Sequence, residues 1–255
     1  MPVILRFLGH SAFEILTNEE KRILIDPFLD ESNVSPVKVR DLTKVDLLLV
    51  THGAWEHIGD SLSILRRFPE THILCGPEVR YFLLESGIEA ERVHSSPWSM
   101  MVEISGIRVR PVESHHWSFI EGAGGKVFSG VPLGYVVYAS NRVRIYHSGD
   151  TSLFTDLKLI GRLYRPNVAL LNVGTARVHG GSKHGISNFL SGEMDAVEAT
   201  MAADWLHATY ALPHHYDDPT LPEVVKFSKL VRRMARRRKR RVVPIILKPG
   251  ETLTL

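Results

Sequence analysis

Thirteen histidines are spread over 255 residues, several of them in short groups, and imidazole in groups means metal ligation or proton transfer. Four clusters stand out: His52-Gly-Ala-Trp-Glu56-His57, His115-His116, Ser148-Gly149-Asp150-Thr151 and Pro213-His214-His215. Imidazole and carboxylate together suit zinc, manganese or iron. A lone histidine is more often a hydrogen-bonded structural residue than a ligand, but four clusters, each just after a predicted strand, are harder to explain that way. No other nucleophile is signalled. There is no G-x-S-x-G, and the single cysteine, Cys75, lies far from the clusters. One cysteine also excludes a disulfide framework and a multi-cysteine zinc site.

Such side chains need rigid elements to aim them. Apolar runs at Val3–Leu8, Ala12–Leu16 and Arg22–Asp26, broken by Gly9-His10 and by Thr17–Lys21, read as strands. Leu47–Thr51 reads as a strand buried on both faces, feeding His52-Gly53 and then a helix at Ile58–Phe68. His72–Cys75 is strand-like, with a helix following at Pro77–Ser86 and ended by Gly87. Hairpins are predicted at Met101–Ile104 with Ile107–Val112, and at Leu133–Ala139 with Val143–His147. The C-terminal part alternates: helix Thr155–Tyr164, strand Val168–Asn172, helix Glu193–His207, strand Tyr210–Pro213, helix Leu221–Arg240, strand Val242–Leu247. Gly122–Gly130 and Gly174–Gly192 read as long functional loops. The pattern fits one α/β domain, residues 1–255, with two sheets and outer helices.

At 44% hydrophobic and 23% charged residues, disordered, collagen-like and coiled-coil readings fall away. No apolar run approaches the roughly 20 residues of a membrane span, and no secretory signal is evident at the start, so a cytoplasmic protein is expected. The net charge of +3 is uneven. Eight basic residues lie between Arg232 and Arg241, and without them acidic residues outnumber basic ones 28 to 23. That run is either a solvated helix end, where cations are favourable, or a docking surface for nucleic acid or an acidic subunit. A homo-oligomer is compatible with the sequence.

Taken in order, the pieces resemble a known family. Thr51-His-Gly-Ala-Trp-Glu-His-Ile-Gly-Asp60 is similar to the HxHxDH signature of metallo-β-lactamase-fold hydrolases. Leu8-Gly9-His10-Ser11, Ile25-Asp26-Pro27-Phe28, Tyr146 to Thr151 and Pro213-His214-His215-Tyr216 resemble its branch of L-ascorbate-6-phosphate lactonase-like proteins. His116-Trp117-Ser118 is similar to a piece of the related phospholipase-D-type phosphodiesterases. The resemblance implies an αββα four-layer sandwich with two adjacent metal positions at one edge. The first would use His52, position 54 and His116; the second would use Glu56, His57 and His215; Asp150 would bridge them. It also implies a divalent metal, zinc or manganese, and hydrolysis of an ester, lactone or phosphodiester by water that the metal acidifies toward a pKa of ~7.

Two residues depart from that pattern: Ala54 replaces a histidine and Glu56 an aspartate. Alanine cannot bind metal, so one tight ion is expected on Glu56, His57, Asp150 and His215, with a second weaker, absent, or rescued by His179 or His184. A decayed site that binds without catalysis is the remaining reading. His10 would contact substrate or support a ligand, or be structural; Asp26 would orient an imidazole or simply end a strand. Neighbours on extended chain point opposite ways, so at most one of His115-His116 and one of His214-His215 should coordinate.

Overall fold

The computed structural model describes residues 1–122, 125–174 and 192–255, with the backbone of two short strands between the last two stretches. Two seven-stranded sheets face each other. The first is built from β1 (Ile4–Gly9), β2 (Ala12–Leu16), β3 (Arg22–Ile25), β4 (Leu47–Leu49), β5 (His72–Cys75) and β6 (Val93–Ser95), and β18 (Thr252–Thr254) adds to its β1 edge. The second runs β17 (Val243–Pro244), β16 (Tyr210–His214), β13 (Val168–Asn172), β12 (Arg144–His147), β11 (Leu133–Tyr138), β8 (Ile107–Glu113), β7 (Val102–Ile104). Helices α2 (Ser61–Arg67) and α3 (Pro77–Glu85) cover the first sheet, and α4 (Leu157–Tyr164), α5 (Ala196–Leu206) and α6 (Pro222–Arg238) cover the second.

Strand periodicity explains the four layers. Side chains alternate across a strand, and here both faces are apolar. Leu47 and Leu49 of β4 enter the core between the sheets, where they join Val168 and Leu170 of β13. Leu48 points out to Ile64, Leu65, Val79 and Leu83 of α2 and α3. Ala169 and Leu171 point the other way, onto α4, α5 and α6.

Strand direction then decides where chemistry can sit. β3, β4, β5 and β6 are mutually parallel, as are β12, β13, β16 and β17. β1 is antiparallel to β2 and β2 to β3, so β1 runs with β3; by the same count β8 runs with β12. The C-terminal ends of these strands therefore deliver His10, Asp26, Thr51-His52, His115-His116, Asp150 and His215 to one edge of the sandwich.

Several elements differ from the sequence expectation. The helix predicted at 58–68 is two helices, α1 (Trp55–Ile58) and α2, divided at Gly59-Asp60. Gly59 has φ of 45°, and a Cβ there would lie 2.4 Å from the Pro27 carbonyl oxygen. The Asp60 carboxylate accepts from Leu29 N and Asp30 N, both at 2.8 Å, so the break pins the loop after β3. Gly122–Gly130 is not simply a loop, because β10 (Val127–Ser129) pairs with β9 (Phe119–Glu121). Within Gly174–Gly192, β14 (Val178–Gly180) pairs with β15 (Asn188–Leu190). The strand expected at 242–247 is only Val243–Pro244. Among the described residues no helix is long and apolar enough to cross a membrane.

Candidate metal centre

Asp26 is the anchor of the site. It is fully buried, and its carboxylate accepts from Thr51 N, from the Thr51 hydroxyl and from His57 Nδ1, each at 2.8 Å. The Thr51 hydroxyl spends its one proton on Asp26, so toward His52 Nδ1, at 3.0 Å, it acts as acceptor. Both Nδ1 atoms are thereby committed, and the Nε2 atoms of His52 and His57 are left for the centre. Gly53 lets the motif turn, since a Cβ there would lie 2.5 Å from the Phe119 carbonyl oxygen.

The opposite wall comes from the second sheet. Asp150 Oδ2 lies 3.1 Å from His215 Nε2 and 3.3 Å from His57 Nε2. His52 and His116 rings meet edge to face at 5.0 Å. His10 and His215 have ring centroids 4.4 Å apart, and their loops are stitched by His10 N donating to Tyr216 O at 3.0 Å and His215 N to His10 O at 2.7 Å. His10, Asp26 and His215 all hold left-handed backbone, with φ of 53°, 46° and 70°. Such conformations cost about 1–3 kcal/mol each and persist where surrounding structure over-determines them.

Among the described residues, three groupings bring ligand-type atoms within 4.8 Å of one another: His52, His116 and Asp150; His10, His57 and His215; Asp150, Glu193 and His215. Asp150 and His215 each belong to two. Of the residues the sequence singled out, His52, His57, His116, Asp150 and His215 thus converge, His10 joins them, and Asp26 orients His57. Glu56 lines the same cavity but falls in none of the three groupings. The side chain of His179, and His184 altogether, lie outside the described residues. One member of each adjacent pair faces the centre, although both pairs lie at or beyond strand ends and His215 is turned by its left-handed backbone. His116 and His215 face the centre, whereas His115 bonds to Glu113 at 3.0 Å and His214 is buried against Ser11 and Ser148.

Glu193 was missed because Glu193–His207 reads as one helix. Asp195-x-x-Glu198 is a capping box, with Asp195 accepting from Val197 N and Glu198 N. That signature places the helix start at Ala196 and leaves Glu193 in the loop at the sheet edge.

Burial would raise the Asp150 carboxyl, but His215 and His57 beside it hold it well below the usual carboxylate range. Burial would lower His57, yet Asp150 and Asp26 hold it well above its ordinary value; His215 is raised by Asp150 against the same burial. His52 is pushed well below by burial and by neighbouring His57. The centre therefore favours positive charge between its carboxylates while keeping His52 neutral, which is the form that ligates. His10 Nε2, Glu56 Oε2, His57 Nε2, Asp150 Oδ1 and Glu193 Oε2 are buried without a hydrogen-bond partner. Each such atom costs about 1–3 kcal/mol, and those of His10, Glu56, Asp150 and Glu193, four around one cavity, fit a nitrogen- and oxygen-ligated divalent cation.

Comparison with known proteins agrees. The family described as "Beta-lactamase superfamily domain" matches residues 21–216. The chain is 35% identical over 258 residues to a UPF0173 metal-dependent hydrolase of Thermococcus onnurineus, covering 99% of this chain and 100% of the relative. It is 31% identical over 250 residues to another of the same name in Rubrobacter xylanophilus, covering 97% and 94%. Among solved structures it is similar to Igni18, described as a novel metallo hydrolase from Ignicoccus hospitalis, with a TM-score of 0.76, 26% identity and coverage of 100% and 99%. The fold and site define a metallo-β-lactamase-fold protein, and the chain belongs to the UPF0173 metal-dependent hydrolases.

Proposed function

We propose that this hydrolase cleaves an ester, a lactone or a phosphodiester at the centre formed by His52, His57, His116, Asp150 and His215, with Glu193 and His10 completing the ligand set and zinc or manganese as the ion. The observation that carries this reading is the convergence of unpartnered buried atoms on one cavity. A divalent ion bound there supplies acidified water and polarisation of the scissile group. The chain does the rest. Asp26 and Thr51 fix the two imidazoles of the motif. Asp150 is shared between groupings. Glu56 Oε2, buried, unpartnered and in the cavity wall, takes up and returns the proton. The resemblance of the motif pieces to the lactonase-like branch supports a lactone or ester bond.

Metal analysis of the purified protein, with hydrolysis assayed before and after chelation, tests the reading. Activity should vanish on chelation, return with metal, and be lost in Asp150→Ala with the fold retained. Full activity in chelated protein or in that variant would overturn it; bound metal without hydrolysis would favour a silent binding protein.

One observation favours an additional role. Lys229, Arg232, Arg233, Arg236 and Arg237 form an exposed stripe along α6, while Arg238 and Arg240 are tied back to Asp204. We propose nucleic acid as the partner of this stripe, bound as a docking surface apart from the metal centre. Binding should then fall steeply with salt, and the slope should flatten when Arg236 and Arg237 become Gln.

A further inference from the structure

We infer that the substrate is an uncharged or cationic carbonyl compound bearing a flat aromatic or apolar group, and not a phosphorylated or otherwise multiply anionic one. This rests on the hydrolase reading above and narrows it. The cavity at the centre is about 1330 Å³. The carboxylates among its described lining residues are Glu31, Glu56, Asp60, Glu121, Asp150 and Glu193, set beside the imidazoles of His10, His52, His115, His116 and His215. Among those residues there is no Lys or Arg, although the chain has 31 of them. Recognition of phosphate or carboxylate normally draws on such cations. An anion reaching past the ion meets Glu31, Asp60 and Glu121, wall carboxylates that belong to none of the ligand groupings and repel it. Asp150 and Glu193, both within the ligand groupings, would meet part of the charge that a divalent ion brings.

Beyond those carboxylates and imidazoles, Phe28, Trp55, Phe82, Trp117 and Phe119 add aromatic surface to a wall that is otherwise small or aliphatic. Trp55 is 65% exposed and Trp117 48%. Trp55 stands edge to face with Phe28 at 4.9 Å, next in sequence to Glu56. Exposed aromatic surface beside a polar centre marks a place where a ligand is covered. A planar group lying along Phe28 and Trp55 would bring an attached carbonyl toward the histidines.

Matched esters separate the possibilities in the full-length, metal-loaded protein: 2-naphthyl acetate, its anionic counterpart 2-naphthyl hemisuccinate, and bis(4-nitrophenyl) phosphate. We expect kcat/KM for the acetate to exceed that for the hemisuccinate by at least about tenfold. Equilibrium dialysis provides a readout without turnover: 2-naphthol should bind about tenfold more tightly than 2-naphthalenesulfonate. Trp55→Ala should weaken 2-naphthol binding by roughly fivefold, and Glu31→Lys with Glu121→Lys should narrow the preference between neutral and anionic ligands. Equal or tighter binding of the sulfonate, or faster turnover of the hemisuccinate or the phosphodiester, would overturn the inference. If no ester turns over but neutral 2-naphthol still outbinds the sulfonate, the hydrolase reading fails and the ligand class stands.

Discussion

Asp26 never needs to touch a ligand to matter. Its carboxylate fixes Thr51 and His57, so Asp26→Asn should misdirect His57 Nε2 and lower metal affinity by about 10- to 100-fold. Competition with a chromogenic chelator measures this, and unchanged affinity would show that His57 is held by its packing alone. Ala54 offers the opposite change. It lines the cavity beside His52, where the family motif has a histidine, so Ala54→His should raise metal content toward two ions per chain, read by elemental analysis. At this scale the sequence was informative wherever a side chain follows a strand directly. His52, His57, His116, Asp150 and His215 lie on recognisable motif pieces. Glu193 was not legible, since a carboxylate one turn before a helix looks like ordinary helix-start chemistry until the capping box is noticed. Glu56 illustrates the converse: its place in the motif predicted a ligand, but the groupings form without it.

The strands and helices that carry the site were legible because their apolar periods are strong, and Leu47–Leu49, Val168–Asn172 and Pro77–Glu85 lie where periodicity puts them. What failed were elements stabilised by tertiary contact. The pair β9–β10 is one case. Its neighbourhood is fixed by Glu78 of α3, a buried residue whose Oε1 accepts from Ser118 Oγ, while Ser118 Oγ in turn accepts from Gly53 N at 2.9 Å. Gly130 passes so close that any Cβ would overlap the Glu78 carboxylate. No local pattern encodes such a link between helix, hairpin and metal motif. It does have a pH signature. Burial raises the Glu78 carboxyl above its ordinary value. Between the unfolded and the folded pKa the native state then holds more protons than the unfolded state, so this group subtracts stability as pH rises through that window. Glu78→Gln removes the loss. Relative to the parent, the variant should be more stable at pH 8 than at pH 4 in denaturant titrations; a difference independent of pH would mean that the carboxyl is not desolvated.

For the molecule as a whole, the centre joins loops from both sheets, so a ligand there binds only the assembled sandwich. At a metal concentration of 100 times Kd the folded state gains about 2.7 kcal/mol. Chelation should therefore lower the melting temperature by several degrees, and Asp150→Ala should remove most of that difference in a calorimetric scan. The stitching of His10 to His215 and Tyr216, together with the seating of β18 on β1, has a consequence for synthesis. Residue 10 is translated far ahead of its backbone partners at 215 and 216, and the strand that completes its sheet comes later still. His10 must therefore wait for both of them. A nascent chain that stops after Asp150 and before His215 holds His52, His116 and Asp150 but not the grouping of His10, His57 and His215, so the centre is completed in two stages.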